Sequence, residues 1–186
     1  MSTVSRSTKL TYEDYLLFPD DGRRHELIQG DHFTTPAPNT KHQRILGHLH
    51  VALYAYLRQH NIGQVYIAPY DVVLSDEDVV QPDLLFISTA QLSIVTDTNV
   101  RGTPDLIVEI LSEATRKKDE VTKRKLYERY RVQEYWLVDP ALETVKILRL
   151  SGAHYVRAAE LAKEAQDVLT TPLLPGLSLP LADLFD

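Results

Sequence analysis

Three groups in this chain have the types and the order that phosphodiester chemistry uses. An acid opens one apolar run, a second acid interrupts another, and a lysine follows on a basic helix. They are Asp83 in PDLLFIS (82–88), Glu109 in PDLIVEIL (104–111) and Lys123 in the basic stretch that ends at Tyr130. Carboxylates are hard oxygen donors suited to Mg²⁺ or Mn²⁺. Such an ion polarises a phosphate oxygen and lowers the pKa of a water, and a lysine beside it would stabilise the negative charge that develops on the phosphate.

The elements that carry these groups follow from the flanking residues. Leu106, Ile107, Val108, Ile110 and Leu111 make the second run a strand buried on both faces, where a carboxylate is costly unless a cation or donors meet it. Glu109 either meets an ion there, caps the next helix, or pairs with a nearby lysine. Asp105 shares its face but stands about 13 Å away along the strand. Asp105 therefore reads as strand-edge punctuation, and Asp83, on a neighbouring strand that Pro82 can open, as the partner of Glu109. In the helix, which Ser112 or Thr115 can cap, Asp119, Lys123, Leu126 and Tyr130 form one sheet-facing stripe. Lys123 thus points inward, while Lys118, Val121 and Lys125 share a stripe that reads as solvated. An inward lysine has a structural reading too, as a snorkelling side chain paired with Asp119 or Glu120.

The order PD, VEILSEAT and DEVTKRKLYERYRVQEYWLVDP resembles the Uma-two-type family of restriction-endonuclease-like proteins, long described as a domain of unknown function, in the PD-(D/E)XK nuclease superfamily. The resemblance runs from about Thr11 to the C-terminus and takes in HELIQG (25–30) and the closing PLLPGLSLPLADLF. It implies an α/β (α+β) fold with a restriction endonuclease-like core, a mixed sheet flanked by helices and extended by hairpins, in one domain over 11–186 behind a flexible 1–10. It also implies Mg²⁺ or Mn²⁺ as cofactor, nucleic acid and foremost DNA as substrate, 5′-phosphate and 3′-hydroxyl products, and a homodimer. In the superfamily the lysine usually lies two residues beyond the second acid, which here is Leu111. The family pattern takes it from the next helix instead, and Lys123 is the residue that matches. By the same resemblance Glu26, in HELI, joins Asp83 and Glu109 at the metal, and His42 becomes a phosphate or substrate contact. Read from the residues alone, His42 faces inward at a helix's first turn, a position that suits a core histidine or one facing an anion.

Composition bounds these readings. A chain of 186 residues with 44% hydrophobic content fits one well-cored domain. No stretch approaches a membrane span and residues 1–9 lack the apolar core of a signal peptide, so the expected location is cytoplasmic. The absence of cysteine excludes disulfides, thiolate catalysis and cysteine zinc sites, and no HExxH occurs among the seven histidines. A net charge of −6 argues against a nonspecific nucleic-acid coat. Residues 116–131 nevertheless hold eight basic residues against three acidic ones. That is either a solvated face or a guide for a phosphate backbone, with Arg116, Lys117 and Arg124 as the substrate-binding candidates. Two other function classes remain open: a nuclease fold kept only to bind nucleic acid or a protein, and a hydrolase of smaller phosphates or nucleotides.

Along the chain, TYED opens a short helix with a capping box between Thr11 and Asp14. A hairpin about Gly30–Asp31 joins strands 24–29 and 32–35. A helix capped at Asn39 or Thr40 runs to about His60 and buries His42, Leu46, Leu49, Leu53 and Tyr56. Strands are expected at 64–68, 71–74 and 134–138, a solvated acidic turn at 75–78, and a hairpin over 144–150 and 154–158. The tail packs Leu173, Leu174, Leu177 and Leu179, and 91–101 is a featureless connection.

Overall fold

The computed structural model describes residues 9–186. The flexible leader expected over 1–10 lies outside them except for Lys9 and Leu10. Those two are held to the first hairpin, Lys9 by Asp31 at 2.6 Å and the Leu10 N–H by the Gly30 carbonyl at 3.0 Å.

In chain order the strands are β1 (Arg24–Ile28), β2 (Asp31–Thr35), β3 (Gly63–Ile67), β4 (Val72–Ser75), β5 (Asp78–Val80), β6 (Leu84–Ser88), β7 (Val100–Arg101), β8 (Leu106–Ile110), β9 (Glu134–Asp139), β10 (Thr144–Ser151), β11 (His154–Ala162), β12 (Val168–Thr171) and β13 (Leu174–Pro180). The α-helices are α1 (Tyr12–Tyr15), α2 (Thr40–His60), α3 (Arg124–Arg129) and α4 (Leu181–Phe185). A π-helical turn over Lys118–Lys123 leads directly into α3, and a 3₁₀ helix spans Thr89–Ile94.

The central sheet has the order β11-β10-β9-β8-β6-β3. It is mixed, because β8 and β9 run parallel while the other neighbours are antiparallel. Alternation along each strand sends side chains to opposite faces. Leu84, Phe86, Val108, Ile110 and Trp136 pack with Leu46, Leu49 and Leu53 of α2 and with Leu181 of α4. Leu85, Ile87, Ile107, Tyr135 and Leu137 pack on the other side with Val72 and Val80 and with Leu126 and Tyr127 of α3. A second sheet, β2-β1-β5-β4-β7, closes that side. The mixed sheet between helices agrees with the expected fold class.

Local chemistry explains the boundaries. The Asn39 side chain accepts from the His42 N–H at 2.9 Å and starts α2, and Asn61 ends it in the left-handed conformation. The first hairpin closes one residue earlier than expected. Ile28 pairs with Asp31, so Gln29 and Gly30 form the loop with φ of 54° and 71°. Two positive φ values match the strand twist, and a Cβ at Gly30 would stand 2.7 Å from that of Lys9. The tail packs as expected, but through an additional hairpin, β12 with β13, and α4.

Two expectations are corrected. The helix after β8 is not α-helical throughout, since its first turns are bonded as a π-helix over Lys118–Lys123. Nor is the acidic turn solvated at Asp78, which is buried and accepts from the Gln29 N–H (2.8 Å), Ser75 (3.1 Å), Arg129 (2.6 Å) and Tyr130 (2.7 Å). Four donors offset its desolvation, which turn composition alone cannot reveal. Asp78→Ala would strand the Gln29 N–H and the Tyr130 hydroxyl, so a loss of about 1–3 kcal/mol is expected in urea melts. An unchanged midpoint would show that water replaces the carboxylate at no cost.

Candidate active site

Asp83 and Glu109 come together through strand pairing. Leu84 pairs with Val108 between antiparallel β6 and β8, so Asp83, one step earlier, faces the position of Glu109, one step later. Both follow the alternation that turns residues 85 and 107 toward α3. The Ile110 N–H donates to Asp83 Oδ2 at 2.8 Å and locks the carboxylate against β8. His42 Nε2 meets the same oxygen at 3.0 Å, and Arg24 Nη1 donates to Oδ1 at 2.7 Å. His42 is therefore both buried and aimed at a carboxylate, and its Nδ1 has no partner among the described residues.

The lysine arrives from the other side. Lys123 Nζ stands 2.8 Å from Glu109 Oε1, 2.7 Å from Glu26 Oε1 and 4.0 Å from Asp119 Oδ1. Tyr127 adds a hydroxyl donor to Glu109 Oε1 at 2.9 Å, and the Gln81 N–H donates to Glu26 Oε1 at 3.0 Å. Lys118 Nζ takes the other Glu26 oxygen at 2.8 Å. This corrects the solvated reading of Lys118. In an α-helix, residues five apart stand about 140° from one another. Bonding from i to i+5 brings them nearly into line, so the π turn aims both lysines at Glu26.

Charge is unevenly shared in this cluster. Burial pushes the Glu109 carboxyl up to about 8, with Asp119, Asp83 and Glu26 adding to the shift and Lys123 opposing it. Burial acts the same way on Glu26, but Lys123 and Lys118 outweigh it and hold that carboxyl at about 2. Asp83 is likewise held at about 2, its burial outweighed by His42, Arg24 and the Ile110 N–H. Burial raises Asp119. The ammonium of Lys123 is itself stabilised, because Glu109, Glu26 and Asp119 together exceed its desolvation. One lysine cannot neutralise three acids, and Glu109 is the one left short.

These groups line a cavity of about 240 Å³ between segments 35–39 and 112–115. Among the described residues no three acidic or histidine side chains converge as ligands on one point, and the Lys123 ammonium lies between Glu26 and Glu109. The donor set still fits a hard divalent cation, since it consists of carboxylate oxygens, Glu109 Oε2 is engaged by no donor among the described residues, and negative charge is in excess.

The remaining candidates lie apart. Arg116 is bound to Asp139 at 2.7 Å and faces a different cavity, beside Ser112 and Pro140. Lys117 and Arg124 are exposed and line no part of the acid-rich cavity. Asp105 sits at the far end of β8, accepting from the Ser88 N–H, Gln91 and Gln133. Sequence reasoning missed Arg24, Lys118, Gln81 and Tyr127. Arg24 alone had a usable signal, since it alternates with Glu26 on one face of β1.

No curated protein matches the chain. Among solved structures, the crystal structure of "a putative nuclease belonging to DUF820" from Anabaena variabilis is similar, with a TM-score of 0.79 and 19% identity over 95% of this chain and 97% of that one. At that identity the likeness speaks for the fold. The family Uma2, described as "Putative restriction endonuclease", matches residues 12–182, nearly the whole chain, and the protein belongs to that family.

Proposed function

We propose that the protein is a metal-dependent endonuclease that hydrolyses phosphodiester bonds in DNA, with Asp83, Glu109 and Glu26 as the residues that hold Mg²⁺ or Mn²⁺. The observation that carries this reading is Lys123 Nζ, 2.7 Å from Glu26 and 2.8 Å from Glu109 in the cavity that Asp83 also lines. A bound divalent cation supplies Lewis-acid polarisation of the phosphate and a water of lowered pKa. The chain supplies the rest. Lys123 stays charged because three carboxylates surround it, and its third N–H can reach a phosphate oxygen as charge builds there. His42, Arg24 and the Ile110 N–H fix the Asp83 carboxylate, so its orientation is set before substrate arrives. His42 and the basic residues Arg116, Lys117 and Arg124 belong to the same proposal as contacts for flanking phosphates. A cytoplasmic location and a homodimer rest on composition and resemblance.

Supercoiled plasmid and single-stranded DNA incubated with the wild type in Mg²⁺, Mn²⁺ or EDTA test the reading. Cutting in metal and none in EDTA is the expected result; equal cutting in EDTA would sink metal dependence. A second reading, a nuclease fold kept as a binding module, is favoured by one observation. The Lys123 ammonium already pairs with Glu26 and Glu109, two of the carboxylates that would hold the metal. Mn²⁺ titration separates the two, because a pure binding module would take up no Mn²⁺ that depends on Glu109.

A further inference from the structure

A second cavity, of about 360 Å³, adjoins the first along segment 35–38 and shares Arg24, Gln81 and Asp83 with it. Arg23, Gln43 and Pro69 form its outer walls. Both cavities are close to the lower end of the range for small-ligand pockets, about 300–1,000 Å³. At these volumes neither has room for more than one nucleotide.

Arg24 stands where the two meet. Its Nη1 is anchored to Asp83 at 2.7 Å and to the Gln81 carbonyl at 3.4 Å, while its Nε and Nη2 donate to nothing among the described residues. A guanidinium held at one corner with two N–H directions open is a fork for phosphate oxygens. Gln81 adds an acceptor. Its Nε2 is committed to Asp71 at 2.8 Å and to the Tyr15 hydroxyl at 3.1 Å, so the amide cannot flip, and its buried Oε1 has no donor among the described residues. A donor on a bound ligand or an ordered water would complete it.

Access narrows the substrate further. The side chains of Asp83 and Glu109 are each only 4% exposed, and that of Glu26 2%. A backbone must enter the cleft to reach them. A duplex, whose strands are held on a stiff rod, cannot feed one backbone past Arg24 without unpairing. We propose that the two cavities are consecutive nucleotide subsites of one cleft, that Arg24 binds the phosphate between them, and that the cleft takes an unpaired strand. This deepens the phosphodiesterase reading and rests on it. Among the described residues no Phe, Tyr or Trp lines either cavity, so binding rests on phosphate and polar contacts and not on base stacking.

The test separates binding from cleavage. In EDTA, a fluorescein-labelled single-stranded 12-mer is expected to bind the full-length protein about tenfold tighter than the matching duplex. Arg24→Gln should weaken the single strand about tenfold and reduce the salt slope of log K by about 0.7, the loss of one phosphate contact. Should Arg24→Gln fail to fold, Gln43→Glu, at an exposed position on the second cavity, must weaken the single strand instead. Equal or tighter duplex binding, or an unchanged salt slope in a folded Arg24→Gln, overturns the inference. In Mg²⁺, a duplex cut faster than the single strand also overturns it and leaves the nuclease reading standing. A single strand bound as expected but never cut sinks the nuclease reading and leaves the subsite assignment intact.

Discussion

Plasmid incubated with Asp83→Ala protein and Mg²⁺ is expected to stay supercoiled, with nicking reduced at least about 10³-fold, or ~4 kcal/mol of transition-state stabilisation. Asp83 is the carboxylate with the most rigid surroundings in the cavity, held by His42 at 3.0 Å, Arg24 at 2.7 Å and the Ile110 N–H at 2.8 Å. Removing it does more than subtract an oxygen donor. It also frees Arg24, the group proposed to meet substrate, from its anchor, so positioning and charge fail together. Asp83→Asn provides the control, since its single amide oxygen can still accept one of those bonds and its size is unchanged. Both variants should give the wild-type circular dichroism spectrum, and both should be inactive. Wild-type nicking by either folded variant would remove Asp83 from the chemistry.

Lys123→Met should be the most destabilising single change in the cavity. The lysine side chain is 3% exposed and its ammonium meets two buried carboxylates directly, and removing one partner of such a pair costs about 3–5 kcal/mol. For a chain of this size that is a fall of roughly 2–4 °C in Tm per kcal/mol. Adding Glu109→Gln to Lys123→Met removes one of the orphaned charges, so the double variant should be more stable than the single one. The cycle is expected to show a coupling of about 2 kcal/mol or more between Lys123 and Glu109. Mn²⁺ should raise the Tm of Lys123→Met more than that of the wild type, because a cation binding only the folded state stabilises it by mass action. A Lys123→Met protein that melts with the wild type would mean the three acids do not need the lysine. Its activity would then decide whether the residue has any role.

Much of this architecture was legible before the structure. Asn39 followed by the periodic His42, Leu46, Leu49, Leu53 and Tyr56 specifies α2, because cap and stripe agree. The both-face burial of β8 was visible in its unbroken apolar run around Glu109. An acid within such a run has few physical options, and a lysine on an inward stripe answers it. Lys118 was misplaced for a specific reason: a stripe drawn at 3.6 residues per turn fails where hydrogen bonding changes to i+5, and side-chain types do not announce that change. Asp78 was misread because its donors come from Gln29, Arg129 and Tyr130, up to 52 residues away in the chain. Arg24 was overlooked because exposed strand arginines are common. Only the antiparallel pairing of β1 with β5, Leu27 opposite Val79, brings Arg24 level with Asp83, the carboxylate it meets.

The π turn also gives this helix an adjustable phase. Its downstream half keeps Leu126 and Tyr127 seated in the core, while its upstream half presents lysines five residues apart to one glutamate. At unchanged length, ordinary bonding through 118–123 would set Lys118 about 140° from Lys123 and off Glu26, whereas deleting one residue between them would leave them four apart, about 40° from one another and still on one face. Chain length and hydrogen bonding are therefore coupled at this point: the extra residue is absorbed where the helix widens, so Glu26 keeps both cations while the packed interior keeps its seat.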